Sequence, residues 1–133
     1  MILRFQRTAI PEGSRYLMKI LNWIIALLGL WEFADIAALF VPDFGKIPDF
    51  LWNHIIVGFL LMLVGVGAAW TSNASTARIM NWLAAGAGLW LMISSFVLRY
   101  PVIHAGLWND LIIGAIAVVL GIWAALTSPR VTR

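Results

Sequence analysis

Cysteine is missing from the 133 residues, and charge is scarce, with Asp, Glu, Lys and Arg together making up 11%. Without a thiol there is no disulfide scaffold and no thiolate metal site. So little charge excludes an ordinary soluble domain, in which about 25% is usual. Catalytic signatures are missing as well: the chain has no Gly-x-Gly-x-x-Gly, no P-loop, no serine nucleophile elbow and no His-Glu-x-x-His. The connections between its apolar runs are too short to build an aqueous active site, so neither an enzyme nor a cofactor is expected. What is present is apolar, with 62% hydrophobic residues and a mean hydropathy of +0.93. The net charge of +3 and pI near 10 do not call for nucleic acid, because basic residues flanking apolar spans are what membrane topology requires.

A membrane-spanning helix needs about 20 mostly apolar residues. Four such runs are read at 20–40, 52–70, 79–98 and 107–126. The breaks between them hold Pro42, Gly45 and Pro48, then the turn-forming run Thr71 to Thr76, then Pro101. The absence of period-2 alternation argues against a membrane β-barrel. The expectation is an all-α membrane protein, a four-span bundle with short connections. Lys and Arg positions set its orientation. Arg4, Arg7, Arg15, Lys19, Arg78, Arg130 and Arg133 fall on one side, against Lys46 and Arg99 on the other. Both termini are therefore expected in the cytoplasm. Residues 1–19 read as a tail, either disordered or laid on the lipid surface through Ile2, Leu3, Phe5 and Ile10 among its arginines, and 129–133 as a second tail. The first span lacks an Ala-x-Ala site at its end and is expected to be retained.

The chain also reads as a duplication, with one helical hairpin at 20–72 and another at 78–128. Asn22-Trp23 matches Asn81-Trp82, Gly29-Leu30-Trp31 matches Gly88-Leu89-Trp90, and Pro42 matches Pro101. Past a three-residue deletion, Leu51-Trp52-Asn53 matches Leu107-Trp108-Asn109, Gly58 matches Gly114, and Gly65 matches Gly121. An even number of spans per repeat inserts both copies in the same orientation, with a pseudo-twofold axis along the membrane normal. The recurring small residues Gly29, Gly58, Gly65, Gly88, Gly114 and Gly121 suit close helix packing. Asn22 and Asn81 are placed to hydrogen-bond between helices. Of eight tryptophans, Trp23, Trp52, Trp70, Trp82 and Trp108 fall at the membrane boundaries, as expected of belt residues. Trp31, Trp90 and Trp123 lie deeper, and simple packing is the first expectation for them, internal or against a partner helix, ahead of contact with a pigment or quinone.

Gly-Leu-Trp, followed by a short motif near the span end and then Trp-Asn before a Gly-containing span, resembles the SPW-repeat family of small bacterial and archaeal membrane proteins. The strongest match runs from Gly88-Leu89-Trp90 through Ser94-Ser95-Phe96 to Trp108-Asn109-Asp110 and Gly114. The place of the eponymous Ser-Pro-Trp reads Ser94-Ser95-Phe96 in one repeat and Asp35-Ile36-Ala37 in the other. The resemblance covers about Asn22 to Ser128. It implies a multi-pass protein of the cytoplasmic membrane and brings no established activity.

Ionisable groups inside a span are costly and carry functional hypotheses. Glu32 and Asp35, three residues apart, share one face of the first span. Asn53, His54, Arg99, His104, Asn109 and Asp110 gather at the same membrane side. His54 occupies the repeat position that Asp110 holds in the other copy, so pseudo-symmetry brings the two toward the central axis. Arg99 or His54 is placed to neutralise Glu32 or Asp35. Asn53 and Asn109 are placed to bond across the same axis. As the plainer reading, Asp110 sits where a helix N-cap is expected, and Pro48-Asp49 reads as a helix start. Glu32 with His54 or His104 offers metal ligands by type, without a recognised spacing. The favoured reading is a non-enzymatic membrane protein acting through helix–helix contact. Its partners would be the lipid bilayer and other membrane subunits or a second copy of itself. The alternative is a small transporter or channel for protons or cations using Glu32 and Asp35. A metal- or quinone-site enzyme ranks third.

Overall fold

The computed structural model describes residues 12–34, 48–98 and 104–128. Among these every regular element is an α-helix: α1 (Glu12–Ala34), α2 (Pro48–Trp70), α3 (Ala74–Val97) and α4 (His104–Thr127). Each is long and apolar enough to cross a membrane. The 23 residues of α1 extend about 35 Å at 1.5 Å per residue, enough for a hydrocarbon core of about 30 Å.

Helix limits follow local chemistry. Glu12 stands in the first turn of α1, where the helix dipole favours an acid, and the helix carries Arg15 and Lys19 ahead of the apolar run. Residues 12–19, read from the sequence as tail, are thus helical. Pro48 opens α2, where proline loses no helical hydrogen bond. Asn73 caps α3, its Oδ1 accepting from the backbone N–H of Ser75 at 2.9 Å and of Thr76 at 3.2 Å. α4 starts at His104, so Asp110 lies well inside that helix and is not the N-cap expected from its neighbours.

Helices adjacent in sequence pack against each other, and α4 closes on α1 to complete a ring; the closest pairings are α1 with α2 and α3 with α4. Glycine permits both. A Cβ on Gly29 would meet the α2 backbone at Gly58, Leu61 and Met62 at under 3.0 Å, and one on Gly88 would meet the Gly114 carbonyl at 2.6 Å. Gly65 rests on the backbone of Asn22 and Ala26, and Gly121 on that of Asn81 and Ala85. All the glycines named as packing residues in the sequence therefore occupy close backbone approaches. Ile25, Val57, Leu61, Val64, Ala84, Ala87, Leu91 and Ala117 fill the centre.

The expected interhelical hydrogen bonds of Asn22 and Asn81 fare differently. Both side chains are buried at 1% exposure, yet Asn22 Oδ1 and both polar atoms of the Asn81 amide have no hydrogen-bond partner among the described residues. Each asparagine instead supplies the backbone carbonyl against which a glycine of the neighbouring helix rests. The backbones are drawn together there by the missing Cβ, and the amide contributes no bond to that approach.

Candidate functional site

Toward the end of the bundle away from the 71–73 connection, all four helices send polar side chains inward. Glu32 comes from the last turn of α1, Asn53 and His54 from the second turn of α2, Ser94 and Ser95 from the end of α3, and Asn109 and Asp110 from the second turn of α4. Exposed apolar residues flank them in sequence, among them Trp31, Phe33, Trp52, Ile56, Ile93, Phe96 and Trp108, and the polar groups take the interior face. Glu32 and Asn53 are 1% and 9% exposed; His54, Ser94, Ser95 and Asp110 are fully buried.

Their contacts form a chain. Asn109 Nδ2 donates to Glu32 Oε1 at 2.8 Å. The other Glu32 oxygen, Oε2, lies 3.3 Å from His54 Nδ1. His54 Nε2 lies 2.8 Å from Asp110 Oδ1, and Ser95 Oγ donates to Asp110 Oδ2 at 2.7 Å. Each carboxylate therefore has one oxygen held by a neutral donor and the other turned to the imidazole. The His54–Asp110 contact crosses from α2 to α4 and joins the two positions that the sequence repeat equates. An imidazole donates from both nitrogens only when protonated. Facing a carboxylate on each side, both ring nitrogens of His54 are placed for that role.

A second layer surrounds this chain. Trp31 Nε1 donates to Asn109 Oδ1 at 2.9 Å, and Trp90 Nε1 donates to Asn53 Oδ1 at 2.8 Å. Asn53 Nδ2 donates to Ser94 Oγ at 3.0 Å, and that hydroxyl donates to the Leu91 carbonyl at 2.9 Å. The repeat equates Trp31 with Trp90 and Asn109 with Asn53, so one tryptophan–asparagine bond occurs twice. Trp31, Trp90 and Trp123 are 43–48% exposed. That corrects the expectation of internal packing: the rings lie on the outer surface, while Trp31 and Trp90 turn their N–H groups inward. Asn53 and Asn109, placed by the sequence to bond across the axis, each accept from a tryptophan and donate to Ser94 and Glu32 respectively.

The sequence identified Glu32, His54 and Asp110, and the structure brings the three together. Asp35, Arg99 and the His104 side chain lie outside the described residues. Ser95 and the donor role of Trp31 and Trp90 were missed. The available signal was the repeat itself, since a tryptophan and an asparagine kept in both copies are a candidate pair. As metal ligands, Glu32, His54 and Asp110 offer atoms that all lie within 4.8 Å of one another. The carboxylates face opposite ring nitrogens, however, and a single zinc or iron uses one nitrogen at about 2.0–2.1 Å. As it stands, the geometry is that of a chain of close polar contacts centred on His54.

In comparisons with known proteins, a family model, that of the SPW repeat domain, matches residues 16–127. No curated protein matches the chain, and no solved structure does.

Proposed function

The chain belongs to the SPW repeat family, and from that premise we propose that this multi-pass membrane protein is non-enzymatic and acts through helix–helix contact. Its role would be that of an accessory or assembly subunit of a membrane complex, or of a homo-oligomer. One observation carries the reading. The ionisable side chains Glu32, His54 and Asp110, at 0–1% exposure, close on one another between α1, α2 and α4. They form an internal clasp, and the face left for other molecules is apolar and aromatic, with Trp23, Leu27, Ile56, Leu63, Leu83 and Val119 among its exposed residues. A protein built this way meets its surroundings through that face. The recurring glycine contacts support two tandem hairpins of the same orientation. The Lys and Arg distribution supports the cytoplasmic membrane, with both termini in the cytoplasm.

Mass determination after mild-detergent extraction tests the subunit reading. A stoichiometric complex with other membrane proteins, or a defined homo-oligomer, is expected; a monomer without companions contradicts it. The alternative, proton or cation passage involving Glu32 and Asp35, draws support from the continuity of the Asn109–Glu32–His54–Asp110–Ser95 chain. Liposome flux that is present in the wild type and abolished by Glu32→Gln would select this alternative.

A further inference from the structure

The opposite end of the bundle carries a feature that the acidic cluster leaves unexplained. A cavity of about 430 Å³ opens where the start of α1 meets the α2–α3 connection, within the range of roughly 300–1,000 Å³ usual for small-molecule sites. Arg15, Met18 and Lys19 of α1, Trp70 at the end of α2, and Asn73 and Ala77 at the start of α3 are among its walls. Arg15 and Lys19 are one helical turn apart and exposed, so they present two cations on one face. Trp70 is 76% exposed and packs edge-on against Trp23, with centroids 6.1 Å apart. Glu12 is the acid near this wall, bordering a smaller adjoining recess with Arg15, Tyr16 and Lys19.

Position decides what such a cavity meets. It lies at the tight turn between two spanning helices, hence at the depth of lipid headgroups. The α1 wall is cationic, and the opposite wall sets apolar Ala68, Ala69 and Trp70 beside polar Thr71, Ser72 and Asn73, so the cavity joins polar and apolar surface as a phospholipid does. Basic pockets between spanning helices bind acidic headgroups, and tryptophan at this depth suits the boundary between headgroup and chain. We propose that the cavity binds the phosphate headgroup of an anionic phospholipid, with Arg15 and Lys19 at the phosphate and Met18 and Trp70 beside the start of the acyl chains.

The test uses the full chain in mild detergent, offered equal amounts of phosphatidylglycerol and phosphatidylcholine, with retained lipid counted by native mass spectrometry. Arg15 and Lys19 are exposed, so Arg15→Gln and Lys19→Gln leave the fold intact. Arg78→Gln is the control. It removes one charge from the same end, but the Arg78 guanidinium donates to the Ser128 carbonyl at 2.6 Å and borders a separate recess beside Trp82. The wild type and Arg78→Gln are expected to retain phosphatidylglycerol preferentially. The preference should fall about fivefold in each cavity single variant and about 30-fold in the double variant, from the usual contribution of one basic residue near an anionic surface. Equal preference in the wild type and the double variant would overturn the proposal. So would an Arg78→Gln loss as large as that of Arg15→Gln, which would mark a diffuse surface effect. Complete displacement of the lipid by millimolar inorganic phosphate would assign the cavity to a soluble anion, and would overturn it too.

Discussion

Each buried polar residue can be judged by its partners. Asp110 has Ser95 on one oxygen and His54 on the other, whereas the Asn81 amide, equally buried, has no hydrogen-bond partner among the described residues. An unpaired buried amide stabilises nothing, and its removal relieves a desolvation cost of about 1–3 kcal/mol that offsets the packing it supplied. Asn81→Ala is therefore expected to change unfolding stability in mild detergent by less than about 1 kcal/mol. A loss several times larger would show that the carboxamide carries a bond. This is also the scale at which sequence reasoning reached least far. Residue type and span position pointed to Glu32, His54 and Asp110, because an ionisable group in an apolar run stands out. Ser95 is small, ordinary in a membrane helix and silent until its partner is known. The tryptophans read as belt or packing residues because a sequence does not tell which way an indole N–H is turned.

Among the elements, the helix pairs α1–α2 and α3–α4 depend on glycine. A Cβ on Gly58 would fall within 3.0 Å of the α1 backbone at Gly29, Glu32 and Phe33, whereas one on Gly86 would meet nothing within 4 Å. Backbone cannot yield as a flexible side chain does, so Gly58→Val must part α1 from α2 and pull Glu32 from His54. Overpacking of a tight contact costs about 1–3 kcal/mol, and loss of the polar contact adds to it. Gly58→Val is expected to unfold at markedly lower temperature, while Gly86→Val stays close to the wild type. Similar behaviour of the two would contradict the packing described. These contacts were legible in advance, because small residues recurring at helical spacing in both halves have few other uses in a membrane helix. The helix limits were less so. The apolar run marks the span, but α1 begins at Glu12, eight residues before Ile20, through a cationic turn that hydropathy excludes.

For the whole molecule, topology follows from where the basic residues lie. The chain has no cysteine, so single introduced thiols report cleanly. Ser72→Cys in the α2–α3 connection is expected to react with an impermeant reagent only from the cytoplasmic side, and Asp43→Cys only from the other. The reverse pattern would invert the proposed orientation. The clasp is a whole-molecule feature too. Four helices converge on one buried chain, and His54–Asp110 is its contact across the bundle, from α2 to α4. Removing one partner of a buried charged pair costs about 3–5 kcal/mol, much of it from stranding the other. A contact that works as a unit makes the second removal cheaper than the first. The most direct test is a double-mutant cycle on unfolding in mild detergent, with His54→Ala, Asp110→Ala and the double variant. A coupling of about 1.5–3 kcal/mol between the two positions is predicted. Strict additivity would contradict the clasp.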